Sequence, residues 1–248
     1  MYYIQDSKNT IINRIILGSA QLGSSYGISN ERGQINKSEI DKIFNYASKE
    51  GINLIDTASG YGESERNIGE LNNNKFQIIT KISPLPEDID IKKIKEWVNN
   101  ELQKSLVNLK KDNIHALLIH KSADLFGKSG DYLYESIREA KEKGKIKNIG
   151  YSIYNTNELD TLYDKYEIDV VQLPMNILDR RFEISGWVKR LRNDHKQIHA
   201  RSVFLQGLLL MNREDRPKYF SKWNSLWNEW DEYILNKKTT PLKACLGY

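Results

Sequence analysis

Cysteine is nearly absent from this chain: Cys245 is the only one in 248 residues. A single thiol excludes an internal disulfide and any cysteine-based metal set, and it suits a reducing compartment such as the cytoplasm. Histidine is scarce too. Of the four, His195 and His199 have no carboxylate or cysteine partner at metal-ligand spacing, so no metal site is expected. No apolar run approaches the roughly 20 residues of a membrane-spanning helix, and the polar opening Met1–Asn9 lacks the apolar core of a signal peptide. An excess of one charge is also missing. The 37 Lys and Arg against 33 Asp and Glu leave +4, interleaved along the chain. Charge scattered in this way marks solvated helix faces and gives no argument for a nucleic-acid partner.

What the chain does have is alternation. Short β-branched runs at residues 14–17, 53–57, 76–81, 115–120, 148–152, 169–173 and 198–203 read as strands. Amphipathic stretches at 38–50, 64–71, 91–110, 132–143, 157–166 and 184–193 read as the helices between them. In the first helix Ile40, Ile43, Phe44 and Ala47 share a face, with Ser38 as N-cap and Gly51 as the stop. Seven β–α steps with no Pro/Ser-rich linker predict one domain over residues 1–248, an α/β fold of the TIM (β/α)8-barrel type. After the seventh strand comes a helical stretch carrying Trp223, Trp227 and Trp230, whose spacing suits core or interface, and no eighth strand is visible. The expectation is a barrel truncated after its seventh strand. A shortened chain is preferred over one closed by a partner or by swapping, and over a degenerate barrel.

Chemistry in such barrels collects at the C-terminal ends of the strands. Those ends carry Asp56, Lys81, His120, Ser152, Gln172 and Ser202, and Tyr61 follows Asp56 in a loop softened by Gly60 and Gly62. Asp56 and Lys81 stand on neighbouring strands, where a buried charge needs a partner, and are expected to pair. A nearby ammonium is expected to lower the Tyr61 phenol from its ordinary value of about 10 and make it a better acid. His120 is placed to polarise a carbonyl oxygen. The glycines 18, 23 and 27 match neither Rossmann nor Walker spacing.

These residues sit in segments that resemble the aldo-keto reductase family. Residues 56–65 (DTASGYGESE) look like its signature around the catalytic Asp and Tyr, Thr80-Lys81 like its lysine strand, and residues 117–120 (LLIH) like its histidine strand. Residues 144–152 (GKIKNIGYS) look like the stretch leading to the nicotinamide contact. The similarity runs from about Ile15 to Gly207. It implies a catalytic tetrad of Asp56, Tyr61, Lys81 and His120, with Tyr61 the general acid. It also implies cofactor contacts from Gly18, Ser19 and Ala20, from Ser152 and Gln172 to the carboxamide, and from the 202–207 segment, with Ser202, Phe204 and Gln206, beside the pyrophosphate. NADPH would supply the hydride, and the substrate would be a small aldehyde or ketone, sugar-like molecules among the candidates.

Two departures stand out. Ile153 occupies the position after Ser152 where relatives often carry Asn, and Arg201 stands where many carry an aromatic against nicotinamide. The segments expected to bind the adenosine 2′-phosphate are missing. Asp179-Arg180-Arg181 is a second candidate to meet an anion. The competing reading is a cofactor-sensing or partner-binding barrel without turnover; a lyase using Lys81 as a Schiff-base amine is weaker, because it leaves the rest of the tetrad unexplained.

Overall fold

The computed structural model describes residues 14–72 and 74–248, so the polar stretch Met1–Asn9 lies outside the described residues. Seven parallel strands run in sequence order: β1 (Leu17–Gly18), β2 (Leu54–Asp56), β3 (Gln77–Ile82), β4 (Ile114–Ile119), β5 (Ile146–Ser152), β6 (Val170–Pro174) and β7 (Gln197–Arg201). They curl into a (β/α)8-type wall truncated after the seventh strand. Among the described residues no ladder joins β7 to β1, and the barrel stays open there.

The helices between strands are α1 (Ala20–Gly23), α2 (Lys37–Lys49), α3 (Ser64–Leu71), α4 (Ile94–Leu109), α5 (Gly127–Glu142) and α6 (Thr156–Leu162). After β6 come α7 (Arg181–Ile184) and α8 (Trp187–Asn193), and after β7 come α9 (Asn224–Asn236) and α10 (Pro241–Gly247). The N-cap of α2 is Asn36, whose side chain accepts from the Glu39 N–H; Ser38, the expected cap, is already helical. The single helix expected over 184–193 is two, because Gly186 between them is left-handed at φ +85°. No helix among the described residues is long and apolar enough to cross a membrane.

The main core lies between wall and helices, with Ile40, Phe44, Ile55, Ile68, Val98 and Ile149 buried against one another. Each such side chain contributes about 1.5–3 kcal/mol on leaving water. Ile79, Ala116, Leu118 and Val170 form a second cluster. A third gathers Leu208, Leu209, Trp227, Trp230 and Cys245, so two of the three tryptophans are core as expected, whereas Trp223 is exposed.

Candidate active site

Asp56 ends β2, and Lys81 lies on the neighbouring β3 with only 1% of its surface exposed. The Lys81 ammonium donates to Asp56 Oδ1 and Oδ2 at 2.9 and 2.8 Å and to the Thr57 carbonyl at 2.8 Å. Three acceptors thus face its three N–H bonds. A lone ammonium there would bear a large desolvation cost, and the carboxylate offsets it. Gln172, on β6 across the barrel, donates from Nε2 to Asp56 Oδ1 at 2.8 Å, and the Ser19 hydroxyl holds the Asp56 carbonyl at 2.8 Å.

Tyr61 sits in the turn between β2 and α3. Its N–H reaches the Ala58 carbonyl, and its own carbonyl accepts from Ser64 N–H, both at 3.0 Å. The ring centroid lies 5.1 Å from Lys81 Nζ and 6.0 Å from the His120 ring, edge-on at 82°. The four expected residues therefore share one mouth at the C-terminal end of the wall.

The expected direction of the Tyr61 shift is reversed. Burial, and after it the Asp56 charge, push the phenol up to about 12, with Arg201 pulling the other way. Burial is the larger cause, and the ammonium counted on to lower the phenol is bound to Asp56, whose own charge adds to the rise. Burial and the Lys81 charge hold the His120 imidazole below its ordinary range, so the ring is neutral near pH 7.

Of the residues expected to contact a cofactor, Gly18 faces open space where a side chain would stand. Ser19 is buried, its hydroxyl engaged with the Asp56 carbonyl, and Ala20 begins α1. Ser152 and Gln172 are partners across β5 and β6, both buried. Gln172 Oε1 is buried without a donor, so a carboxamide NH2 fits it. Ile153 is fully buried and offers no polar group in its place.

Ser202 lies one residue past β7 rather than on it. The turn it opens is left-handed at Ser202, Leu205, Gln206 and Gly207, and Phe204 packs into the third cluster. The Gln206 carbonyl accepts from Ile28 and Ser29 N–H at 2.9 and 3.3 Å, tying the β1 loop to the β7 loop. A cavity of about 320 Å³ opens beside Ser202 and Gln206, walled by Phe220, Trp223 and Trp227.

Tyr26 and Tyr154, unmarked in the sequence, also belong to this mouth. The two phenols, Tyr61 and Arg201 all act on one another electrostatically. Tyr154 follows the end of β5, and that position was the available signal; Tyr26 lies beyond α1, where no strand end marks it. Arg201 stacks on the Tyr154 ring at 4.1 Å. The alternative cations Arg180 and Arg181 are ion-paired to Glu183 and Asp179.

The sequence matches the model described as the Aldo/keto reductase family over residues 14–248, and the chain belongs to that family. Members of the family carry out nicotinamide-dependent oxidoreduction of small carbonyl compounds. Among curated relatives, it is 25% identical over 236 residues to an uncharacterized oxidoreductase, YqkF, of Bacillus subtilis, covering 92% of this chain and 72% of that protein. It is 28% identical to the B. subtilis aldo-keto reductase YhdN over 70% of this chain and 53% of that protein. The fold is similar to that of the glycerol dehydrogenase of Gluconobacter oxydans, with a TM-score of 0.69 at 21% identity over 98% of this chain and 80% of that one. It is also similar to an aldo/keto reductase of Klebsiella pneumoniae solved in complex with NADP and acetate, with a TM-score of 0.61 at 16% identity over 83% and 69%.

Proposed function

We propose that this protein reduces an aldehyde or ketone to the alcohol, with NADPH as hydride source and Tyr61 as proton donor. The observation that carries this reading is the grouping of the Tyr61 phenol, the Asp56-bound Lys81 and the His120 ring around one mouth. The nicotinamide, when bound, supplies a hydride to the carbonyl carbon. His120 donates a hydrogen bond to the carbonyl oxygen and so stabilises charge developing there. Tyr61 gives its hydroxyl proton to that oxygen, an alkoxide being a stronger base than a phenolate even at a pKa of about 12. Lys81 steadies the resulting phenolate, Asp56 holds Lys81 in place, and solvent returns the proton.

Ser152 and Gln172 would hold the carboxamide, Gly18, Ser19 and Ala20 would border the ring, and Ser202, Phe204 and Gln206 would border the phosphates. The Klebsiella complex with NADP supports NADPH, and the glycerol dehydrogenase supports a polyol- or sugar-like substrate. The lone cysteine supports a reducing, cytoplasmic setting. Carbonyl-dependent loss of NADPH absorbance, together with a fluorescence change on NADPH binding, is the test. Binding without carbonyl-dependent loss would instead support a cofactor-sensing or partner-binding barrel without turnover.

A further inference from the structure

The cations around the mouth are nearly all neutralised. Lys81 is bound to Asp56, Arg180 to Glu183 and Arg181 to Asp179, and Lys121 lies 3.9 Å from Asp124. Arg201 is different: among the described residues it has no ion pair with a carboxylate. Its Nη2 donates to the Ile153 carbonyl at 2.9 Å, its Nη1 makes a long 3.5 Å contact with the Ser202 hydroxyl, and its Nε is buried with no acceptor. A guanidinium has five N–H bonds, so most of its donor capacity is unused. A guanidinium with a buried donor ordinarily finds a counter-ion, and the Asp179 carboxylate within electrostatic range of it is already paired with Arg181.

Its position is well defined. Arg201 is the last residue of β7, in register with Pro174, and its side chain reaches over the end of β6 to the carbonyl that follows β5. The guanidinium plane is braced at 4.1 Å on the Tyr154 ring. The same charge acts on Tyr61, Tyr26 and His120, so it lies within electrostatic range of the group that would deliver the proton. The geometry is that of a fixed, planar fork, partly exposed, at the same end of the wall as the reacting centre.

We propose that Arg201 is an anion subsite for the substrate, and that the carbonyl compound reduced here carries a carboxylate or phosphate a short chain away from the reacting carbonyl. This rests on the reductase reading above and narrows its substrate class. Arg suits the task because its fork meets two oxygens of a carboxylate or phosphate at once, whereas Lys meets them as a point charge. The gain expected from one charge-assisted contact of this kind is about ten- to hundredfold in KM.

The experiment compares succinic semialdehyde with pentanal, an uncharged aldehyde of similar length, in the wild type, Arg201→Met and Arg201→Lys. In parallel, succinate is titrated calorimetrically into each protein without cofactor. The wild type is expected to favour succinic semialdehyde about ten- to hundredfold in kcat/KM, with the preference collapsing through KM in Arg201→Met and partly retained in Arg201→Lys. Succinate binding is expected to follow the same order. A preference that is absent in the wild type, or that survives Arg201→Met, overturns the proposal. So does succinate that NADPH displaces and succinic semialdehyde does not, because the guanidinium then serves the cofactor's phosphates. If neither aldehyde is reduced, the reductase reading fails; Arg201-dependent succinate binding would still support the subsite, and its absence would overturn it.

Discussion

Gly23 and Tyr61 are packed backbone to backbone: a Cβ on Gly23 would stand 1.8 Å from the Tyr61 carbonyl oxygen and 2.4 Å from the Ser64 nitrogen. The Glu63 N–H donates to the Gly23 carbonyl at 3.3 Å, and Gly62, left-handed at φ +54°, lies against the same carbonyl. The end of α1 thus forms a seat for the turn that presents Tyr61. No side chain fits into this contact, and neither flanking group is a flexible side chain that could swing aside.

Gly23→Ala is therefore expected to displace the Tyr61 turn. Overpacking of this kind costs about 1–3 kcal/mol, measurable as a lower urea midpoint. A shift of the phenol by even an ångström should also lower kcat by about a hundredfold. An Ala variant with wild-type kcat would show that Tyr61 does not depend on this seat.

Tyr61→Phe removes the proton donor and keeps the ring. Loss of a general acid is expected to lower kcat for carbonyl reduction by about 10²–10⁴-fold, with NADPH binding by fluorescence nearly unchanged. Because burial holds the phenol at about 12, above its ordinary 10.0, it stays protonated through the neutral range. The wild-type rate should therefore be flat in its Tyr61 dependence up to about pH 10 and fall only above it. A fall near neutrality assigned to Tyr61 would sink the assignment.

Lys81→Met leaves the Asp56 carboxylate facing a buried thioether. Removing one partner of a buried ion pair costs about 3–5 kcal/mol. The Asp56 side chain keeps 19% of its exposure, so the lower end, about 3 kcal/mol, is expected in chemical denaturation. The double variant Lys81→Met with Asp56→Asn should recover much of that stability but no activity, which separates folding from chemistry.

His199 sits on β7 beside Gln172, and its Nδ1 is buried with no partner. Burial, opposed by Asp56, lowers the ring from 6.5 to about 4, so the folded protein holds it neutral. The unfolded chain takes up a proton near 6.5 and the folded one only near 4, so stability is retained above 6.5 and lost as pH falls towards 4. The interval amounts to about 3 kcal/mol at most. Urea midpoints should fall across it, and His199→Leu should flatten the fall. His115 and His120, also lowered by burial, will leave a residual slope. An unchanged pH profile in His199→Leu would contradict the assignment.

Much of this was legible in the sequence for a local reason. A strand of alternating or β-branched residues and a helix with a 3.6-residue stripe declare themselves within ten residues, so the order of seven strands and the span of α3 followed directly. Asp56, Lys81 and His120 were visible because they recur at strand ends together with Tyr61 in one order; any one of them alone would more often be structural. Boundaries moved where the signal was split between neighbours: Asn36 and not Ser38 caps α2 because its side chain, accepting the Glu39 N–H, ends the extended approach to the helix, and Gly186 interrupts an otherwise continuous periodic stretch.

What the sequence by itself determined was that Asp56, Lys81 and His120 stand at or beside strand ends, with Tyr61 in the loop after the first of them. The tertiary structure decided how they act on one another. The Gln172–Asp56 bond joins residues 116 positions apart, and no local pattern records it. The Tyr61 shift depends on how much water the folded mouth excludes and on Asp56 having already captured Lys81, so its sign could not be read from a list of neighbouring charges. The same holds for Arg201: its identity is plain in the sequence, but its unused donors appear only once every nearby carboxylate has been assigned to another cation. Propensity and periodicity are properties of the local chain, whereas desolvation and charge pairing are properties of the assembled barrel.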